Sequence, residues 1–167
     1  MASYYPSITE EQAKLIQNSP VFFVATTAQI PTDISDGVGP INISPKGGVP
    51  LHILNRNRVA FLNYAGSGNE TERHSASGSP ITVMICSFEG ENAAIVRLFG
   101  KAKVTPISES ELAEEMLASG ATEMKLTPRQ VVEIEVEKTS TSCGYGVPVM
   151  EFVRDRRTID HGRRYKK

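Results

Sequence analysis

The sequence predicts a mainly β protein, a β-barrel with a few short helices. Six segments are rich in β-branched and aromatic residues, and they lie at 21–28, 39–44, 58–64, 81–88, 94–104 and 130–137. Few helices separate these segments, whereas a doubly wound sheet needs a helix after most of its strands. Gly100 interrupts the fifth segment and predicts a bulge or a bend, which closure of a barrel requires.

The strand over 130–137 has the clearest alternation of the six. Val132, Ile134 and Val136 are separated by glutamates, so one face of the strand is apolar and the other is charged. Side chains alternate between the two faces of a strand. We therefore expect this strand to have one buried face and one face in solvent.

Three short helices are predicted between the strands. A capping box that starts at Thr9 opens the first helix, which runs to about Asn18. A second capping box starts at Ser108, and Gly120 is placed to end its helix in a left-handed conformation. The third helix is shorter and covers 69–76, between two glycines.

Length and composition indicate a single domain over residues 1–167. The chain has 18 basic and 19 acidic residues and is 40% hydrophobic, an ordinary globular balance with enough residues for a sizeable core. Its apolar runs are too short to span a bilayer, and no secretory signal is visible. Cys86 and Cys143 cannot form a disulfide framework. These features predict a cytoplasmic protein with no membrane partner.

The formal charge of −1 is unevenly distributed along the chain. A basic tail from about residue 154 carries a net +5, which leaves −6 on the body. Such a tail can bind nucleic acid, but no aromatic stacking platform accompanies its arginines, so we expect no nucleic-acid partner. The alternatives are a solvated end or docking on an acidic surface of this chain or of a partner.

The sequence NYAGSGNET at 63–71 is the most informative stretch for function. A strand ends there, two glycines allow close approach to the backbone, and a helix begins. Backbone amides at a helix N-terminus suit a phosphate, and Ser67, Asn69 and Thr71 add side-chain donors. The alternative is a tight turn in which Ser67 or Asn69 is an ordinary N-cap.

A second candidate stretch, at 42–48, follows the second predicted strand. It places the Ser44 hydroxyl, the fixed backbone of Pro45 and the Lys46 cation where that strand ends, so a ligand there would meet a donor and a positive charge. The alternative is a surface turn with a solvated lysine.

A third stretch, at 141–148, is a loop rich in hydrogen-bond donors with one aromatic ring and one thiol. It fits a ligand-binding loop or a plain turn better than a catalytic site for Cys143, because no histidine is near in sequence. Cys86 fits a buried position in a strand. The three histidines have no metal-ligand spacing with one another or with the cysteines, so no metal site is predicted.

Together these stretches resemble the FMN-binding split-barrel proteins of the pyridoxamine 5′-phosphate oxidase-like superfamily. The matching motifs occur in order along most of residues 8 to 154. They are FFVAT from Phe22, NISPKG from Asn42, GSGNET from Gly66 with His74 beyond it, RLFG from Arg97 and TSCGYGVP from Thr141.

The resemblance implies a six-stranded split barrel that forms a homodimer, with FMN in each of two clefts between the subunits. Of the implied cofactor-binding residues, the first three would lie beside the isoalloxazine ring, and the fourth follows them in the same motif. The fifth would lie near the ribityl chain, the next four at the phosphate, and the last four on a loop that closes the site. These residues are Ser44, Pro45, Lys46, Gly47, Asn63, Ser67, Gly68, Asn69, Thr71, Ser142, Cys143, Gly144 and Tyr145.

The resemblance also implies an FMN-dependent oxidoreductase that acts on a small molecule. The alternative is a non-catalytic protein that binds flavin or pyridoxal phosphate, with Lys46 as the amine for a Schiff base. The chain has no tryptophan and lacks the Arg-Leu-x-Pro ending of true pyridoxamine phosphate oxidases, which argues against that activity. With FMN bound, Lys46 is the candidate to stabilise the reduced anionic flavin.

Overall fold

The computed structural model describes residues 2–28, 40–66, 68–119 and 127–157. Its strands and α-helices, in chain order, are β1 (Ser3–Tyr5), α1 (Glu10–Asn18), β2 (Val21–Thr27), β3 (Ile41–Gly47), β4 (His52–Asn55), β5 (Arg58–Tyr64), α2 (Glu70–Ala76), β6 (Pro80–Cys86), β7 (Ala94–Pro106), α3 (Ala113–Ser119) and β8 (Pro128–Cys143). A 3₁₀ turn, Ile107–Glu109, joins β7 to α3. None of these helices is long and apolar enough to cross a membrane.

The eight described strands form one antiparallel sheet in the order β3-β2-β6-β7-β8-β5-β4, and β1 pairs with β8. The predicted mainly β class is confirmed, but the described part of the chain has eight strands where six were expected. The additional strands, β1 and β4, have three and four residues. Segments this short carry too little alternation to be identified from sequence.

Contacts between distant strands show that the sheet curls around its core. Three strands separate β2 from β5 in the sheet, yet the rings of Phe22 and Phe61 lie 5.3 Å apart, edge to face. Lys46 of β3 and Asn63 of β5 are joined by a hydrogen bond of 3.1 Å. The sheet therefore curls until β3 and β5 face each other across a cleft.

Two apolar clusters hold the fold together. The larger one lies inside the curled sheet beneath α1, and its most buried members include Val24, Val59, Phe61, Val83 and Leu98. The smaller cluster lies outside, where α3 covers β5 and β8, and it comprises Ala60, Leu62, Ala113, Met116 and Val131. Consequently β5 is buried on both faces, whereas β8 shows the predicted alternation between Val132 and Val136 only where α3 no longer covers it.

A β-bulge lies where Gly100 was predicted to interrupt its strand. The register between β7 and β8 shifts between Phe99 and Gly100. A Cβ atom at position 100 would collide with the backbone carbonyl oxygen of Glu135. The prediction is confirmed, and the close approach of the two backbones explains why this position takes glycine.

The first capping box is confirmed and the second is wrong. The amide of Gln12 donates to Thr9 Oγ1 at 3.2 Å, and the amide of Thr9 donates to Gln12 Oε1 at 3.1 Å. No α-helix starts at Ser108, because the chain forms the 3₁₀ turn there. Instead, the carbonyl and hydroxyl oxygens of Ser110 accept hydrogen bonds from the amides of Ala113 and Leu112, at the start of α3 and just before it. Gly120, the predicted end of that helix, lies outside the described residues.

Two strands extend further than their sequence patterns predict. β3 continues through Pro45 to Gly47 because β2 pairs with it along its whole length, and an edge strand tolerates proline. β8 continues to Cys143 because that residue still pairs with Ala94 of β7. The alternative prediction of a surface turn in the stretch 42–48 and the predicted loop start at 141 are therefore wrong.

Candidate functional site

Alternation along β3 separates the predicted binding residues into two sets. Ser44 and Lys46 are half-buried and point into the cleft between β3 and β5, together with Asn42. Pro45 and Gly47 are exposed on the opposite face of the strand. Because side chains alternate in a strand, the structure places Ser44 and Lys46 beside the cleft and directs Pro45 and Gly47 away from it.

The cleft has a volume of about 200 Å³ and is bounded by β3, the end of β5 and the glycine turn that precedes α2. Six of the predicted cofactor-binding residues line it, namely Ser44, Lys46, Asn63, Gly68, Asn69 and Thr71. The remaining lining residues are Asn42, Tyr64, Gly66 and Glu70. Ser67, which was predicted to bind phosphate, lies outside the described residues.

Lys46 is the cation of this cleft. Its Nζ donates to Asn63 Oδ1 at 3.1 Å and lies 5.9 Å from the centroid of the Phe61 ring. Burial lowers the pKa of Lys46, and Arg129 lowers it further, while Glu70 acts in the opposite direction. An ammonium group has three N–H donors, so Lys46 keeps donors for a ligand after its bond to Asn63.

Two residues of β8 that the sequence analysis missed continue this network. Asn63 Nδ2 donates to Gln130 Oε1 at 3.3 Å, and Arg129 Nε donates to the same oxygen at 3.3 Å. Arg129 Nη2 also donates to the carbonyl oxygen of Gly68 at 3.3 Å. A signal existed for Gln130, because it is a polar residue in phase with the buried face of Val132 and Ile134.

Ser44 Oγ is a buried atom without a hydrogen-bond partner among the described residues. Most buried hydroxyl groups in proteins are hydrogen-bonded, so such an atom calls for a partner. It belongs to the residues that line the cleft with Lys46. A ligand in the cleft with an acceptor or donor at this point would satisfy it.

The glycine turn leaves its helix end without the side-chain cap that was the alternative prediction for Asn69. Asn69 occupies the N-cap position of α2 but makes no side-chain cap bond. Thr71 is buried in the first turn of the helix, and His74 Nδ1 lies 2.9 Å from Thr26 Oγ1 of β2. This buried contact fixes α2 against the sheet and thereby positions the turn at the cleft.

The other predicted binding segment lies at the opposite end of β8 from Arg129 and does not line the cleft. Ser142 Oγ accepts a hydrogen bond of 3.0 Å from Arg97. Gly144 is buried, and its amide donates a hydrogen bond of 3.1 Å to the carbonyl oxygen of Ala93. Cys143 is exposed, and Tyr145 is 91% exposed. Within this chain the structure therefore does not bring these four residues to Lys46.

The two cysteines have different environments. Cys86 is buried in β6, as predicted, and burial raises the pKa of its thiol. Cys143 Sγ accepts a hydrogen bond of 3.4 Å from the amide of Tyr145. Among the described residues, no three His, Cys, Asp or Glu side chains are placed to hold a metal ion together.

Comparison with known proteins gives matches that cover most of the chain. The sequence profile of the family described as pyridoxamine 5′-phosphate oxidase matches residues 8–143. The chain is 29% identical over 161 residues to the pyridoxamine 5′-phosphate oxidase family protein ustO of Aspergillus flavus, which covers 95% of this chain and 61% of the relative. The chain thus spans about three-fifths of the length of this curated relative.

Two solved structures have similar folds. A candidate pyridoxamine 5′-phosphate oxidase from Lactobacillus delbrueckii has a TM-score of 0.56 at 21% identity, over 81% of this chain and 94% of the other. An FAD-binding protein from Mycobacterium smegmatis has a TM-score of 0.51 at 16% identity, over 83% of this chain and 97% of the other. At these identities the likeness concerns the fold, and it supports the split-barrel class.

Proposed function

Since the chain belongs to the pyridoxamine 5′-phosphate oxidase family, we propose that it is a flavoprotein that binds FMN in the Lys46 cleft and acts as an oxidoreductase on a small molecule. The observation that carries the proposal is the buried, unpartnered Ser44 hydroxyl, which lines the cleft beside the Lys46 cation. A donor and a cation side by side suit the polar edge of an isoalloxazine ring.

The donor set at the other end of the cleft suits a phosphate. Gly68, Asn69 and Thr71 line it, and Arg129 supplies a guanidinium next to the Gly68 carbonyl. Guanidinium groups bind phosphates with charge-assisted hydrogen bonds. The name of the Mycobacterium smegmatis neighbour, an FAD-binding protein, supports a flavin as the ligand of this fold.

Bound FMN would supply the hydride or electron chemistry, and the residues of this chain would orient and stabilise it. Lys46 would place positive charge next to the flavin and so favour a reduced, anionic ring. Ser44 would donate or accept one hydrogen bond that helps to hold the flavin in the cleft. Asn63, which already accepts from Lys46, would keep the ammonium in place.

We propose further that two copies of the chain complete each site. The cleft holds about 200 Å³, whereas ligand sites for molecules of cofactor size measure about 300–1,000 Å³. Ile41 and Ile43 on the outer face of β3 are each 65% exposed, and large exposed apolar side chains continue in the segment after β8 at Val149, Met150, Phe152 and Val153. These surfaces support a homodimer in which residues 142–145 of one subunit close the site of the other.

Absorbance and titration test the flavin proposal. Purified protein should show the flavin absorption bands, or acquire them with added FMN. Its thermal stability should then rise with the logarithm of the FMN concentration above Kd. Lys46→Ala should weaken FMN binding about 10- to 100-fold because it removes a charged hydrogen-bond donor. Lys14→Ala, at an exposed position of α1, is the matched control and should leave the affinity unchanged.

A colourless protein that FMN neither binds nor stabilises would refute the flavin proposal. In that case pyridoxal phosphate remains as the alternative ligand, since a desolvated lysine amine forms Schiff bases readily. Borohydride reduction followed by peptide mapping would locate such an adduct on Lys46.

A further inference from the structure

We propose that the Glu70 carboxylate sets how strongly this site prefers a phosphorylated flavin over the same flavin without its phosphate. Glu70 holds a negative charge at the glycine turn, where the phosphate would bind, and so weakens FMN selectively. This inference rests on the proposed flavin function.

The geometry places Glu70 over the turn. Glu70 is the first residue of α2 and lines the cleft together with Lys46 and Gly68. Its Oε2 atom lies 2.5 Å, and its Oε1 atom 3.6 Å, from the point that a Cβ atom at position 68 would occupy. The glutamate side chain therefore folds back into the space that glycine leaves at the turn.

The charge of Glu70 acts on the same groups that a phosphate would contact. Glu70 lines the cleft together with Lys46, and Arg129 donates to the carbonyl oxygen of Gly68, which also lines it. Glu70 and Arg129 both act on the pKa of Lys46, in opposite directions, so both charges are near the Lys46 ammonium. Among the described residues, no ion pair joins Glu70 to Lys46 or to Arg129. Glu70 thus contacts neither Lys46 nor Arg129 closely enough to be neutralised by an ion pair.

A phosphate at this turn would be near the Glu70 carboxylate as well as the Lys46 and Arg129 cations. Two like charges in one surface cleft repel each other. At the intermediate dielectric of such a cleft, this repulsion changes binding about tenfold. Riboflavin has the same ring and ribityl chain as FMN but no phosphate, so Glu70 does not repel it. The ratio of the two affinities therefore isolates the effect of the carboxylate.

Glu70→Gln is the test variant, because the amide keeps the shape of the side chain and removes its charge. Glu72→Gln is the matched control, since Glu72 lies in the same turn of α2, is half-buried and does not line the cleft. Dissociation constants for FMN and riboflavin are measured by quenching of flavin fluorescence. We expect Glu70→Gln to tighten FMN about tenfold and to leave riboflavin within about twofold, while Glu72→Gln changes neither.

The outcomes separate this inference from the flavin proposal. If both flavins bind and Glu70→Gln leaves their ratio unchanged, or weakens FMN, the role of Glu70 in selectivity is refuted and the flavin function stands. If neither flavin binds to the wild type or to either variant, the proposed function is refuted, and the inference with it. Thermal unfolding of each variant without ligand confirms that the comparison is made between folded proteins.

Discussion

At the scale of the residue, the cleft depends on a lysine that the fold removes from water. Lys46 donates to Asn63, which in turn donates to Gln130. Because the amine is desolvated and Arg129 is near, the folded protein binds its proton less tightly than the unfolded chain does. The cation that suits a ligand is therefore a cost to the stability of the unliganded protein.

This cost predicts a pH dependence. The pKa of Lys46 is lowered from its ordinary value of 10.5, so between the folded and unfolded values the unfolded chain binds more protons. The free energy of unfolding of the wild type should therefore rise, relative to that of Lys46→Met, as the pH increases towards the ordinary lysine value of 10.5. Urea unfolding across this range measures the difference.

Lys14→Met removes an exposed lysine and serves as the control for this pH series. It shows how much of any change follows from removing a lysine at a surface position. A difference between the wild type and Lys46→Met that is flat across the range would contradict the desolvation of Lys46.

Residue types alone identify part of this site. The hydroxyl of Ser44 and the cation of Lys46 stand out in sequence as groups that contact ligands, whereas Asn63 is implied only by the family resemblance. All three residues line the cleft. Arg129 does not stand out, because its contact is with Gly68, 61 residues earlier in the chain. Only the pairing of β5 with β8 brings those two residues together.

At the scale of the element, partner strands decide where a strand ends. The sequence of β3 contains a proline and a glycine near its end, and a second glycine follows the strand. This stretch reads locally as a turn, yet β2 pairs with β3 up to Gly47. This extension places Lys46 inside a strand, and the alternation of the strand then directs Ser44 and Lys46 to the same face. Local propensity predicted the existence of the strand but could not predict its end, because pairing is a tertiary interaction.

The bulge at Glu137 of β8, next to Gly100 of β7, gives a prediction at this scale. Gly100→Ala should lower the free energy of unfolding by about 1–3 kcal/mol, because the new methyl group collides with the backbone at Glu135. Chemical denaturation of the unliganded protein measures the change. Gly90→Ala is the control, since a Cβ there has no neighbour within 4 Å. Equal denaturation midpoints for the two variants would contradict the close approach at Gly100.

At the scale of the whole molecule, the site lies where the curled sheet meets itself. β3 and β4 end the strand order on either side, and the Lys46–Asn63 bond crosses from β3 to β5. The exposed apolar face of β3 lies directly behind the residues that line the cleft. A partner that covers this face would therefore also hold the binding strand in place.

This arrangement predicts that dimer formation and cofactor binding are linked. Ile43→Glu places a charge on the exposed face of β3 and should convert the proposed dimer to monomer, which sedimentation velocity detects. FMN affinity should fall at least about tenfold in the same variant, because each site loses the residues of its partner. Tyr4→Glu, on the exposed face of β1, is the control and should stay dimeric. A monomeric wild type with full FMN affinity would contradict the shared site.

Strand β8 has a consequence for how the protein folds. It pairs with β1, β5 and β7, which all lie in the first two-thirds of the chain. These three strands therefore lack one of their partners until β8 has been synthesised. Contacts between residues so far apart in sequence form slowly. Until β8 pairs with them, β5 and β7 each expose an unpaired backbone edge, and such edges can pair with other chains. Chaperone protection during synthesis would therefore matter most in the interval before residue 143 leaves the ribosome.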